Sequence, residues 1–231
     1  MSDVLPDHGD RAPMRSYKRR GSRITPGQAD ARERLWVAYG RAVDGAPLDL
    51  SALFGRVAPV VLEIGFGMGE ASAEQAGAEP GRDLLAVDVH PPGQGALLRE
   101  VEARALTNVR VLDGDATLLL REMLAPGSLA GVRLYFPDPW PKRRHWKRRL
   151  ITSEFLDLVA VALAPEGVLH VATDWAHYAR SVRDLLDAHP AYAVLPDAPW
   201  RPLTRFERQG LAAGRPAQDV AAVRRSPAPV P

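Results

Sequence analysis

The stretch VVLEIGFGMGE, residues 60–70, decides the fold. Its first five residues are a short apolar run, and a glycine-rich turn follows at once. A run of that length bounded by turn residues reads as a buried strand entering a loop that leads to a helix. Working outward, four more such runs appear: LLAVDV (84–89), VRVL (109–112), VRLYF (132–136) and GVLHVAT (167–173). Between them lie segments of helical length, such as ALLREVEARAL (96–106) and SEFLDLVAVALA (153–164), whose apolar positions recur at three and four. Strands alternating with helices predict an α/β fold, a mostly parallel sheet with helices on both faces. No repeat of solenoid length is visible.

The chain has 231 residues, 46% hydrophobic and 25% charged, enough for one domain with a substantial core. Residues 1–24 carry no hydrophobic period and are expected to form a flexible basic leader. Thr25-Pro26 then reads as a helix start, Thr as cap and Pro in the first turn, for a helix with Leu35, Trp36 and Tyr39 that ends near Gly40. The expected organisation is this leader, one domain over 25–225 and a short tail at 226–231. Cysteine is absent, which removes disulfides, thiolate nucleophiles and Cys-based zinc or iron–sulfur sites. The first residues lack a basic-then-apolar export pattern, and the longest apolar stretch, Val159 to Ala164, is far below the roughly 18 residues a membrane span needs. A cytoplasmic location without membrane association is the expectation.

Net charge is only +2, yet KRRHWKRR at 142–149 places six positive charges in eight residues, so the remainder is net acidic. A run of this kind suits a phosphate backbone, since each neutralised phosphate releases condensed counterions. Trp140 and Trp146 stand among the charges, which favours nucleic acid over a merely solvated face. For a second cluster, from Arg11 to Arg23, phosphate binding and a solvated tail stand open equally.

In open α/β sheets the ligand sits beyond the carboxyl ends of the strands. An acid stands at every one of those ends: Glu63 before GFGMGE, Asp88, Asp115 in GDA (114–116), Asp138 in PDPWP and Asp174 in TDW. The loop containing Gly65 and Gly67 would let a cofactor approach the backbone, but Glu70 occupies the last position of a GxGxxG fingerprint, where a pyrophosphate would meet its charge. A nicotinamide dinucleotide is therefore disfavoured. Glu63 suits an ammonium group, Asp88 a pair of ribose hydroxyls and Asp115 an adenine amino group. S-adenosylmethionine carries all three. The alternatives are another nucleotide, or acids that only cap helices.

Two prolines flank Asp138 in Phe136-Pro137-Asp138-Pro139-Trp140, a stiff backbone that fixes a carboxylate at the mouth of the site. Trp140 serves either to stack a planar base or to fill core. His90, His145, His170 and His177 share no metal-ligand spacing and read as structural or phosphate-contacting.

Taken in order, LEIGFGMGE (62–70), AVDVH (86–90), GDA (114–116), YFPDPWPKRRHWKRRL (135–150), ATDWAHYA (172–179) and TRFERQG (204–210) resemble the bacterial tRNA (guanine-N7)-methyltransferase family over nearly the whole chain. The leader SYKRRGSRITPGQ (16–28) is similar to the family's basic entry segment. The resemblance implies a Rossmann-like, seven-stranded methyltransferase fold that uses S-adenosylmethionine to methylate guanosine 46 in the variable loop of tRNA, with no metal and no obligate protein partner. It implies cofactor contacts from Glu63, Asp88, Asp115 and Asp138, with Asp138 also catalytic. Lys142 and Asp174 would meet the target nucleoside, and Arg144, His145, Trp146, Lys147, Arg148 and Arg149 the RNA. Thr204, Arg205, Phe206 and Glu207 would form a substrate loop. This chain departs from the family's usual pattern with Arg205 for Lys, Gln209 where Arg is expected, and Asp88 for Glu. Two rival functions remain at this stage: a methyltransferase acting on another RNA or DNA base, and a non-catalytic RNA-binding protein on the same fold.

Overall fold

A computed structural model describes residues 23–226; the basic leader and the tail lie outside them, apart from their innermost residues. Helix α1 (Pro26–Tyr39) begins at a full capping box: Thr25 Oγ1 accepts from the Gln28 backbone, and Gln28 Oε1 accepts from the Thr25 backbone. It runs into the short strand β1 (Gly40–Ala42). After the single-turn helix α2 (Leu50–Phe54) come β2 (Val60–Ile64), α3 (Glu70–Ala78), β3 (Asp83–Asp88), α4 (Pro91–Ala103) and β4 (Val109–Asp113). The helix α5 (Ala116–Leu118) continues as a π-helical turn to Met123, followed by β5 (Leu129–Tyr135). Then come α6 (Ser153–Ala162), β6 (Leu163–Thr173), α7 (Ala176–Ala188), β7 (Tyr192–Val194), α8 (Arg205–Ala212) and β8 (Gln218–Arg224).

The strands form one sheet in the order β1-β4-β3-β2-β5-β6-β8-β7, parallel except for β8, which is antiparallel to both neighbours. Every residue of β2 is buried, as a central strand covered on both faces must be. One core, built from Leu62, Leu85, Leu134, Leu156 and Val171 among others, lies on one face. A smaller one, with Ala86, Leu97, Leu98 and Val101, packs α1, α3 and α4 on the other.

The α/β class and Rossmann-like winding agree with the sequence reading, but the strand count is eight, not seven. The extra strand is β1, three residues at the sheet edge paired to β4, too short to register as a pattern. Residues 204–207, expected as a substrate loop, are instead the cap and first turn of α8. Thr204 Oγ1 accepts from the Glu207 backbone, so T-R-F-E is a helix N-terminus of the S/T-x-x-E kind. Strand order reverses between β2 and β5, and the loops leaving these two strands therefore diverge and open a crevice.

Candidate active site

The crevice is a cavity of about 540 Å³. Its lining includes Glu63 within β2 and Gly65 and Gly67 after it, Asp88 at the end of β3, Asp115 after β4, Phe136 and Asp138 after β5, and the cap Thr204 with Arg205, Phe206 and Gln209 of α8. Four of the acids expected at strand ends thus face one space. Asp174, Lys142 and Glu207 are outside its lining.

Glu63 is 4% exposed inside the central strand. Its Oε1 accepts from Ser72 Oγ at 2.9 Å, while Oε2 is buried without a hydrogen-bond partner among the described residues. Burial pushes the carboxyl up to about 7, against the lowering effects of the Ser72 hydrogen bond and the Arg133 charge. An orphaned buried carboxylate oxygen lining a cleft is a seat for a cationic donor, and an ammonium group fits it. Ser72, on the first turns of α3, was missed by the sequence reading; only its place nine residues after Glu63, one loop and one turn away, links them.

Asp88 braces the glycine loop. Its Oδ2 accepts from the Gly67 backbone at 3.3 Å and its Oδ1 from the His90 backbone at 3.1 Å. Gly67 sits at φ +60°, and a side chain on Gly93, at the start of α4, would strike the Gly67 carbonyl at 2.0 Å, so the loop and α4 meet backbone to backbone. Burial raises the Asp88 pKa, with the Gly67 and His90 contacts opposing. Asp115 caps α5, its Oδ1 accepting from Thr117 N at 2.7 Å and Leu118 N at 3.4 Å. Capping and cofactor contact are compatible here, because a ligand amino group would meet the other oxygen.

The loop after β5 is strained as well as stiff. Phe136 (φ +55°) and Trp140 (φ +43°) both take the left-handed conformation, bracketing Pro137-Asp138-Pro139. Bulky residues rarely adopt it, and each such residue costs of order 1–3 kcal/mol unless its surroundings enforce it. Arg149 supplies part of that enforcement. It is 7% exposed, its Nε donates to the Pro139 carbonyl at 2.9 Å, its Nη1 to Ser181 Oγ at 3.4 Å, and its guanidinium lies between the rings of Trp146 and Tyr178 at 4.8 and 4.6 Å. An RNA contact was expected of Arg149 with its neighbours; the structure turns it inward, because the 3-10 turn Arg143–Arg148 ends there and the chain re-enters the core at Ile151. Lys142, Arg144, Lys147 and Arg148 are exposed, and His145 and Trp146 half-buried. Trp140 is half-buried with Arg148 over its ring at 5.1 Å and His145 edge-on at 5.8 Å. Its buried indole N–H has no hydrogen-bond partner among the described residues.

Asp174 Oδ2 accepts from Arg215 Nε at 2.9 Å. Glu207 is held by Arg201, whose two terminal nitrogens reach both of its oxygens. His170 donates or accepts at Tyr135 and Asp219 inside the sheet, the structural one of the two roles expected for it. Among the described residues, no group of three His, Cys, Asp or Glu is placed to hold a metal ion, and no helix is long and apolar enough to cross a membrane.

Solved structures with this fold include a precorrin-6y C5,15-methyltransferase from Geobacter metallireducens (TM-score 0.51, 16% identity, 73% of this chain and 81% of that one) and an rRNA methylase from Streptococcus thermophilus (TM-score 0.51, 13% identity, 73% and 88%). The doubly wound sheet, with an acid-lined cleft at its switch point, is the Rossmann-like fold these methyltransferases share. A family model described as "Putative methyltransferase" matches residues 57–220. The tRNA (guanine-N(7)-)-methyltransferase of Streptomyces coelicolor is 54% identical over 227 residues, covering 95% of this chain and 83% of the relative; that of Alkalilimnicola ehrlichii is 50% identical, covering 90% and 91%. The chain belongs to the tRNA (guanine-N7-)-methyltransferase family.

Proposed function

We propose that this protein methylates N7 of guanine 46 in the variable loop of tRNA, with residues 25–225 as its single catalytic domain, acting in the cytoplasm. One observation carries the reading: the orphaned carboxylate of Glu63 and the strained Asp138 loop line the same cleft, and the exposed cations Lys142, Arg144, Lys147 and Arg148 follow directly from that loop. Glu63 holds an ammonium group, Asp88 two ribose hydroxyls and Asp115 an adenine amino group. When bound, S-adenosylmethionine supplies an electrophilic methyl group.

Guanine N7 carries a lone pair and no proton, so the site needs no strong base; its task is placement, which contributes on the order of 7–11 kcal/mol in favourable systems. The methylated ring becomes cationic. Asp138, fixed between two prolines and two left-handed residues, stabilises that charge as it develops. Lys142 orients the base edge or a phosphate. Asp174 accepts from guanine N1–H and the amino group once Arg215 releases its Oδ2, which rejects adenine, an acceptor at N1. Thr204, Arg205, Phe206 and Glu207 form the substrate-facing end of α8.

The test is incubation of the full chain with unmodified tRNA and labelled S-adenosylmethionine, beside Asp138→Ala, with borohydride and aniline cleavage to map the methyl group. Cleavage at guanosine 46, lost in the variant, is the expected result. Incorporated label without cleavage would replace the reading with methylation of a base amino group, and tRNA binding without label with a non-catalytic role.

A further inference from the structure

Helix α8 closes one side of the cleft, yet little packing holds it there: of its eight residues only Gly210 is buried. Phe206 stacks on Phe136 with ring centroids 6.4 Å apart but is 47% exposed. Arg201, four residues before the helix, is by contrast buried, its side chain 7% exposed. Its Nη1 and Nη2 donate to the two oxygens of Glu207 on α8, and its Nε and Nη2 to the two oxygens of Asp219 on β8, at 2.6 and 2.9 Å. The guanidinium also lies over Tyr135 and Phe136, at 5.5 and 5.7 Å, where β5 delivers the Asp138 loop.

We propose that Arg201 is a positioning residue that pins α8 over the cofactor cleft, joining the helix, β8 and the end of β5 through one guanidinium. Neither motif nor resemblance assigned it a role. The geometry needs a planar fork with several donors in fixed directions; a lysine has one point of charge and satisfies one carboxylate fully. The far side of the clamp is rigid: Asp219 also bonds to the buried His170 Nε2 at 2.7 Å, and Gln75 Nε2 donates to the Trp200 carbonyl at 3.3 Å, anchoring the chain just before Arg201 to α3. Burial alone would raise the Asp219 pKa, but the His170 and Arg201 hydrogen bonds bring it down to about 2, so the carboxylate is ionised throughout the working range. Without the guanidinium, Asp219 would keep His170 but Glu207 would face Asp219 with no cation between them, and α8 would move away to rehydrate Glu207.

The inference rests on the reading of the cleft as the S-adenosylmethionine site, and the test separates the two. Full-length wild type, Arg201→Lys and Arg201→Gln are compared by amide hydrogen exchange and by calorimetry with S-adenosylhomocysteine. Exchange at residues 205–212 is expected to rise at least tenfold in both variants, with β2 and β3 unchanged. The dissociation constant for S-adenosylhomocysteine should rise about tenfold in Arg201→Lys and further in Arg201→Gln, and KM for S-adenosylmethionine should change more than kcat. Wild-type exchange in α8, or acceleration spread evenly over the sheet, overturns the proposal. Should Arg201→Gln fail to fold, Arg201→Lys alone decides by the same readings. Wild type that gives no heat with S-adenosylhomocysteine refutes the cofactor reading, while the exchange contrast still judges Arg201.

Discussion

Asp88 and Asp115 are held by backbone N–H groups, whereas Asp174 and Glu207 are held by the side chains of Arg215 and Arg201. The first pair lines the cleft; the second lies outside its lining, where the proposed reading puts the substrate. Acids fixed by backbone keep their places whatever binds. An acid fixed by an exposed arginine, as Asp174 is by Arg215, can exchange that partner for a ligand's donors, because an ion pair and a hydrogen-bonded base edge compete for the same oxygen. We propose that the cofactor half is thus preformed, and that on the substrate side the exposed Arg215–Asp174 pair is replaceable while the buried Arg201–Glu207 clamp stays closed.

The largest effect that would break this contrast is expected at Asp138. Asp138→Ala should lower kcat at least a hundredfold, the scale of losing a preorganised electrostatic contact, while S-adenosylhomocysteine binding by calorimetry changes only a few-fold. A matching loss of binding would make Asp138 a cofactor contact only, with no separate part in stabilising charge on the base.

Next comes Glu63. Its carboxyl in the folded chain lies near 7, above the 4.5 of an unfolded glutamate, so folding favours the protonated form. Stability contributed by this group is full below about pH 4.5 and declines as pH rises toward 7, by on the order of 3 kcal/mol. Ligand binding runs the other way, since an ammonium needs the ionised carboxylate: affinity for S-adenosylhomocysteine should rise several-fold from pH 6 to 7.5. Glu63→Gln should flatten both curves and weaken binding at pH 7.5, as calorimetry and thermal melts at both pH values would show.

Arg149 and Arg148 sharpen the contrast within the basic segment. Arg149→Ala should cost about 2–4 kcal/mol of stability in urea titrations, because it removes buried hydrogen bonds and two ring contacts, and it should leave the salt dependence of tRNA binding almost unaltered. Arg148→Ala should do the reverse, flattening the slope of log K against log salt by about one. The smallest effect is expected at Arg208, whose ion pair with Glu70 spans 3.4 Å with both side chains more than half exposed. Arg208→Ala should raise KM for S-adenosylmethionine less than twofold at physiological salt.

The cofactor half was legible because it is written locally. Each acid stands in or just after an apolar run, and alternation with helices predicts a parallel sheet whose carboxyl ends share one side, so Glu63, Asp88, Asp115 and Asp138 could be gathered there before any geometry was known. The substrate half was not, since its contacts depend on where side chains turn after distant elements pack. KRRHWKRR looks uniformly basic, and nothing in the string shows that its last arginine alone faces inward. Arg201 stands in a polar connection without a pattern, and its partners lie on α8 and β8. The helix at 205–212 did have a signal, the Thr204-to-Glu207 cap, hidden by the expectation of a loop.

The most direct test of a preformed cofactor half beside an adjustable RNA half is calorimetry of S-adenosylhomocysteine without tRNA, on wild type, Arg144→Ala/Arg148→Ala and Glu63→Ala. Wild type and the arginine double variant should bind with equal affinity, and Glu63→Ala should show no measurable heat. Binding that appears only when tRNA is added, or that falls with the two exposed arginines, would contradict the account.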